Sequence, residues 1–360
     1  MYTTDMLIAF FIAMGSTFLL TYPVRRFAYR IKAMDVPNHR KIHTKITPRL
    51  GGLAIFIGSM LGLLYLWPEH EHLPEIIMGS IVIVITGILD DKYTIRPIIK
   101  LSGQLIAASF LISSGLIIER ITLPFIGVIE LGFISVLITL LWIVGITNAI
   151  NLIDGLDGLA TGVTTIALTS IFIMSLIDSQ TIVAFLSIVL IGANLGFLYH
   201  NFYPAKIYMG DTGSNYLGFM IAVVSIQGLF KNVALFSFII PVIVLAVPIF
   251  DTFLAIIRRI RNKESIAMAD NKHIHYRMIQ SGYSHKATVL ILYGFSALFG
   301  VLAIIFSTAS ITTSLIVTVF VLILLHIIAE ISGLVMDGKR PVLDAILRWI
   351  PMKRKHKNKS

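Results

Sequence analysis

LGFISVLITLLWIVGITNAINLIDGLDGLA, residues 131–160, sets twenty uncharged residues directly against a turn that carries two aspartates. As a helix rising 1.5 Å per residue, the uncharged part reaches about 30 Å, the thickness of a bilayer's hydrocarbon core. The acidic turn then falls where the chain leaves the lipid. Apolar span followed by an acidic motif is the pattern that organises the remaining sequence.

Of 360 residues, 56% are hydrophobic and 13% charged, with a mean hydropathy of +0.88. Water-soluble domains carry roughly 25% charged residues. Apolar blocks occur at 6–22, 51–67, 76–89, 101–118, 131–150, 159–177, 181–199, 216–230, 233–250, 288–306 and 311–335. Only helices and closed barrels satisfy every backbone group in lipid, and continuous blocks without strict alternation point to helices. The predicted class is all-α, a polytopic membrane protein with about eleven transmembrane helices. Block 6–22 lacks a basic flank and a small-residue cleavage signal, so it is expected to remain as a helix. With no cysteine, disulfides, thiolate metal sites and cysteine nucleophiles are excluded.

The formal charge of +10 raises a nucleic-acid reading, but its distribution points to a membrane. Loops alternate sides. One set (1–5, 68–75, 119–130, 178–180, 231–232, 307–310) contains only Arg120 and Lys231 among its residues as basic groups. The other set (23–50, 90–100, 151–158, 200–215, 251–287, 336–360) contains the remaining 27 of 29 Lys and Arg. The basic side is expected to be cytoplasmic, with the N-terminus outside and the C-terminus inside the plasma membrane. A single catalytic membrane unit is predicted over 1–335, followed by a basic tail, 336–360, near anionic lipid headgroups.

Acidic residues at membrane depth are costly and call for a function. Asp90 and Asp91 follow IVIVITGIL directly; Asp154 and Asp157 stand at i, i+3 in NLIDGLDGLA, on one face if that segment is helical; Asp211 lies between glycines in MGDTGS. Gly-flanked amides can bind anions, and a carboxylate can ligate a hard cation. Asn151 and Asn201 add polar groups at the same side. In HIHYR, His273 and His275 project together if extended, and with Arg277 they suit phosphate. Their spacing is not that of a zinc helix, and neither a Walker A nor a Rossmann glycine pattern is present. The plainer alternatives are solvated helix ends, an Asp-Gly turn and a polar loop. One-sidedness of the five aspartates and the HxH favours a divalent metal acting on a phosphate-rich substrate.

GILDD, NLIDGLDGLA, NFYPAKIYMGDTGS, HIHYR and RKIHTKITPRLGGLAI (40–55) resemble, in order and place, the polyprenyl-phosphate N-acetylhexosamine-1-phosphate transferases. The resemblance runs over nearly the whole chain. It implies transfer of a sugar 1-phosphate from a UDP-sugar to a membrane polyprenyl phosphate, with Mg²⁺ (or Mn²⁺) and release of UMP. The RKxH…PRLGG segment and HIHYR, where Ile274 interrupts the three consecutive histidines of the UDP-MurNAc-pentapeptide branch, resemble the UDP-GlcNAc branch. That branch starts teichoic acid, O-antigen or related polymers, and the chain is most similar to its teichoic acid members. UDP-MurNAc-pentapeptide or UDP-GalNAc remain alternatives as donors. The resemblance further implies Asp211 as metal ligand and Asp90 as base or orienting group for the lipid phosphate. Asp91 is implied to assist the metal or that acceptor, and Asp154 and Asp157 to contact the nucleotide or shape the site. Lys100 would meet the lipid phosphate; Arg258, Arg259, His273, His275 and Arg277 would meet the donor. Homodimers are common in the family.

A proton-coupled transporter also uses intramembrane acids, but its site lies near the midplane. Here the acids crowd one side. His326 and Glu330, in the last block, are expected to pair at i, i+4.

Overall fold

The computed structural model describes residues 2–35, 46–123, 127–228, 239–265 and 273–331. Expectations for the tail 336–360, for Lys231 and for parts of 40–55, 216–250 and 311–335 lie outside these residues.

Among the described residues there are thirteen helices. In chain order they are α1 (Tyr2–Ile31), α2 (Gly51–Leu66), α3 (Leu73–Tyr93), α4 (Pro97–Ser113), α5 (Ile134–Ile153), α6 (Leu159–Ile177), α7 (Thr181–Asn201), α8 (Gly210–Gly228), α9 (Ile239–Val244), α10 (Ala246–Arg261), α11 (Ile274–Gln280), α12 (His285–Ser307) and α13 (Ile311–Ile331). Seven of them, α1, α3, α5, α6, α7, α12 and α13, are long and apolar enough to cross a membrane; α2 and α4 are shorter apolar helices. Two small antiparallel hairpins complete the fold. One pairs β1 (Met34–Asp35) with β2 (Thr47–Pro48); the other pairs β3 (Arg120–Leu123) with β4 (Gly127–Glu130).

Leu7, Phe11, Leu19, Leu64, Ile85, Leu141, Leu290, Val301 and Leu322 are exposed on helix surfaces. So large an apolar surface is what lipid requires and water opposes. The chain is a multi-pass membrane protein.

The inside of the bundle has a different composition. In α8, every residue except Asp211 is buried, and the helix packs against α2, α3 and α5. It faces protein on all sides, so it tolerates Thr212, Ser214, Asn215, Ser225 and Gln227, all of them buried. Close approach fixes its N-terminal end: a side chain at Gly52 would collide with the Gly213 backbone, and one at Gly87 with the Thr212 backbone. Small residues at such crossings let helix backbones meet.

Several elements depart from expectation. α8 begins at Gly210 and α3 continues through Tyr93, so Gly210–Ser214 of MGDTGS and Asp90–Asp91 lie within helices, where capping across the bundle extends them beyond the apolar blocks. The block expected over 233–250 divides at Leu245 into α9 and α10. Pro248 lacks the N–H that would bond back into the preceding turn, so the helix restarts there with proline in a first turn. The segment 154–158 forms a turn with no helix, and His273–Ile274 opens the short helix α11 with no extended stretch. His326 Nε2 and Glu330 Oε1 do pair, at 3.1 Å.

Candidate active site

The site gathers at one end of the bundle, where α3 and α5 end and α4 and α8 begin. Neighbouring residues on a helix point about 100° apart, and Asp90 and Asp91 diverge accordingly. Asp90 stays with its own helix end: Oδ1 accepts the Ile95 amide at 3.0 Å, and Oδ2 lies 3.1 Å from Lys100 Nζ. Asp91 reaches across to α8. Its Oδ1 accepts the Asp211 amide at 2.8 Å, and its Oδ2 accepts both the Thr212 amide at 3.0 Å and Thr212 Oγ1 at 2.6 Å. The unpaired amides at a helix N-terminus favour an anion. The amides of MGDTGS, expected as a site for a bound anion, thus hold an internal carboxylate at Asp211 and Thr212. Gly210, at φ 72°, makes room for it: a side chain there would strike the Asp91 carboxyl.

Lys100, in the first turn of α4, brings its ammonium to three oxygens: Asp211 Oδ1 at 2.7 Å, Asp90 Oδ2 at 3.1 Å and Asn151 Oδ1 at 3.1 Å. Three N–H donors thereby meet three acceptors. Asn151, in the last turn of α5, donates Nδ2 to Asp211 Oδ1 and to Ser214 Oγ, the latter at 2.7 Å. A second cation enters from the segment joining β2 to α2. Arg49 Nε lies 3.6 Å from Asp91 Oδ1, Nη2 3.7 Å from Asp211 Oδ2 and Nη1 3.9 Å from Asp35 Oδ1. Its backbone is anchored by its amide on Ala33 O at 3.0 Å and by a bridge to Tyr208.

Asp154 ends α5 beside this cluster. Burial pushes its carboxyl up to about 8, with the Asp211 charge adding to the shift and Arg49 opposing it. Asp157 Oδ2 accepts the Ala205 amide at 2.8 Å. Asn201 Oδ1 accepts Gly158 N at 3.1 Å and Thr161 Oγ1 at 2.8 Å, while its Nδ2 donates to Ile207 O at 3.1 Å. Asp157 and Asn201, expected near the nucleotide and the substrate, bond to the protein itself and pin the 154–158 turn against 205–207.

His273 and His275 are both buried, with rings stacked 4° from parallel and centroids 5.9 Å apart. His275 borders the acidic turn, since a Cβ at Gly155 would collide with its Nε2. Among the described residues neither ring nitrogen of His275 has a hydrogen-bond partner, and burial pulls its imidazole down to about 4. Arg258 and Arg259 close the last turn of α10, and Arg277 lies on α11; Arg259 is buried and the other two are partly exposed.

Among the described residues no set of three or more His, Cys, Asp or Glu stands close enough to hold a metal alone. The donor set still fits Mg²⁺, which takes few protein carboxylates and completes its shell with water and substrate phosphate. Asp211 Oδ2 has its Arg49 partner beyond hydrogen-bond distance, at 3.7 Å, and the surrounding carboxylates outnumber Lys100 and Arg49.

Sequence reading misses Arg49, Thr212 and Ser214. Arg49 stands directly before an apolar block, as Asp90 stands directly after one, but a basic residue there also serves membrane orientation and so carries no separate signal. Thr212 and Ser214 had no signal beyond their motif.

The profile of glycosyl transferase family 4 matches residues 73–229, the stretch that supplies Asp90, Asp91, Lys100, Asn151, Asp154 and Asp211. The chain is 46% identical to a probable undecaprenyl-phosphate N-acetylglucosaminyl 1-phosphate transferase of Bacillus subtilis, over 93% of this chain and 94% of that one. It is 38% identical to the decaprenyl-phosphate N-acetylglucosaminephosphotransferase of Mycobacterium tuberculosis, over 77% and 76%. A similar protein from Yersinia pestis, an undecaprenyl-phosphate alpha-N-acetylglucosaminyl 1-phosphate transferase, is 26% identical over 84% of each chain. Fold and site define a multi-pass membrane transferase. The chain belongs to glycosyl transferase family 4, as a polyprenyl-phosphate N-acetylhexosamine-1-phosphate transferase.

Proposed function

We propose that this chain transfers GlcNAc-1-phosphate from UDP-GlcNAc to undecaprenyl phosphate, giving undecaprenyl-diphosphate-GlcNAc and UMP. The observation that carries it is the convergence of Lys100 and Arg49 on Asp211, with Asp90 sharing Lys100. A cationic pair beside a metal-competent carboxylate suits the meeting of two phosphate groups, and the relatives' names supply the substrates.

A lipid-phosphate oxygen attacks the phosphorus that carries the sugar, and the bond to UMP breaks. Such chemistry asks a protein chiefly for positioning and for neutralising charge. Lys100 would receive the lipid phosphate, and Asp90 would orient Lys100 and the acceptor oxygen. A phosphate monoester is largely ionised near neutral pH, with a second pKa of about 6, so Asp90 need not act as a strong base. Asp91 and Arg49 hold the α8 end that presents Asp211. Mg²⁺ on Asp211, with the donor's diphosphate, would offset charge on the departing UMP. Arg258, Arg259, His273 and Arg277 would approach the donor from the α10–α11 side, with Asp154 and Asp157 shaping the turn beneath it.

The same reading places the site at the cytoplasmic face of the plasma membrane, supported by the basic loops at that end. It takes eleven crossings: the seven long spans, α2, α4, the enclosed α8 and the α9–α10 pair, with the N-terminus outside and one catalytic unit throughout. The product would be the first lipid-linked intermediate of a cell-envelope polymer, teichoic acid by resemblance.

The test is transfer by purified protein from labelled UDP-GlcNAc to undecaprenyl phosphate with Mg²⁺, following UMP release and label in the lipid phase. UDP-MurNAc-pentapeptide and UDP-GalNAc are run in parallel. Transfer from UDP-GlcNAc alone is expected. Transfer only from another donor would retain the chemistry and overturn the sugar assignment.

A further inference from the structure

Asp251 stands on α10, 97% out of solvent by its 3% exposure. Burial of a carboxylate is costly unless its oxygens are hydrogen-bonded. Both are: Oδ2 lies 3.0 Å from His273 Nδ1, and Oδ1 accepts the Ile274 amide at 2.9 Å. The second bond satisfies a free amide in the first turn of α11; the first determines the state of the histidine. A carboxylate oxygen accepts and does not donate, so His273 Nδ1 must carry a proton. Its remaining ring nitrogen, Nε2, is then the atom that a ligand can engage.

The geometry places this nitrogen near the chemistry. His273 stacks on His275, and His275 lies against Gly155, between the aspartates of the 154–158 turn. Asp251, His273, His275 and Gly155 therefore form a packed line from α10 to the edge of the Asp211 cluster. The last turn of α10 carries Arg258, Arg259 and Arg261, and the short helix α11 carries Arg277; charge of this density belongs at the water-facing end of the bundle, where a water-soluble nucleotide sugar arrives. Lys100, by contrast, rises from an apolar helix at the lipid boundary.

We propose that Asp251 is a positioning residue for the nucleotide-sugar donor. It fixes the His273 ring and the Nδ1–H tautomer, so that Nε2 accepts a hydrogen bond from a hydroxyl or amide N–H of the donor's sugar or nucleoside. This rests on the proposed use of UDP-GlcNAc. An asparagine at 251 has a single acceptor oxygen. If that oxygen keeps the Ile274 amide, the NH₂ group faces Nδ1 and drives the proton to Nε2, reversing the tautomer.

The experiment measures the KM of each substrate, which does not depend on the fraction of active protein. Asp251→Asn is expected to raise the KM for UDP-GlcNAc by about tenfold, the lower range for removing a partner that orients a functional histidine. The KM for undecaprenyl phosphate should not change. His273→Gln should raise the donor KM similarly. Adding Asp251→Asn to His273→Gln should then change it by less than about twofold, because the two act as one unit. An unchanged donor KM in Asp251→Asn, or an equal rise in the His273→Gln background, overturns the proposal. Should Asp251→Asn fail to fold, an unchanged donor KM in His273→Gln alone also overturns it. Wild-type protein that uses a different UDP-sugar would refute the donor assignment instead, and the same comparison then runs on that sugar.

Discussion

Thr212 binds Asp91 twice, through its amide at 3.0 Å and its hydroxyl at 2.6 Å. Residues 121 positions apart in sequence thus join the end of α3 to the start of α8. The junction sets where Asp211 sits, because Asp211 is the next residue and its own amide bonds Asp91 as well. Packing reinforces it at Gly87, where α3 meets the Thr212 backbone.

Thr212→Val removes the hydroxyl bond and keeps the shape of the side chain. It is expected to cost about 1.5–3 kcal/mol, the range for a hydrogen bond to a charged group, and to lower transfer while the protein still inserts. Thermal unfolding in detergent and a transfer assay on the same preparation check this. A variant with wild-type melting and wild-type turnover would show that the junction does not set the site.

Lys100→Met is expected to lose at least about 100-fold in turnover, the scale for deleting one charge-stabilising group at a phosphoryl centre. It leaves Asp90, Asp211 and Asn151 facing one another without their shared cation. Lys100→Arg should recover little, since a planar fork cannot place donors on three converging oxygens as an ammonium does. Steady-state rates at saturating substrates decide it; full activity of the arginine form would refute the three-point geometry.

Asp211→Asn is expected to abolish transfer without preventing insertion, and chelation of divalent ions should stop the wild-type enzyme until Mg²⁺ is returned. Asp90→Asn should reduce transfer at every pH tested. Substantial turnover of Asp211→Asn at saturating Mg²⁺ would remove Asp211 as the metal ligand, and near-normal transfer by Asp90→Asn across a pH series would remove Asp90 as an essential group.

His275 introduces a pH dependence of stability. Burial holds its folded pKa at about 4, against 6.5 for the free side chain. Between those values the unfolded chain binds the proton and the folded protein does not, so stability falls as pH drops from about 6.5 towards 4 and levels below it. The full shift corresponds to about 3 kcal/mol at most. Melting temperatures at stepped pH for wild type and His275→Gln give the test: the variant should show a shallower decline over that window. Parallel curves would mean that His275 does not titrate there.

Much of this protein is legible in its residues. Uncharged blocks of membrane length, their flanking charges and the acids at their ends mark a helical membrane protein with chemistry on one side. The physical reason is that lipid excludes charge and unpaired backbone, so helix-spanning blocks and functional exceptions both stand out locally in the sequence. Asp90, Lys100, Asn151 and Asp211 were accessible in that way, and the structure brings them within hydrogen-bond or ion-pair distance of one another. Tertiary structure alone decided what each polar group does. Nothing in DD distinguishes Asp90, beside Lys100, from Asp91, which holds the amides of α8. Nor does spacing reveal that Asn201 is bonded within the protein, that Arg49 reaches Asp211, or that Asp251 orients His273. A side chain's role depends on which donors and acceptors come within about 3 Å, and those partners lie tens to more than a hundred residues away in the chain, placed by helix packing that no local pattern encodes.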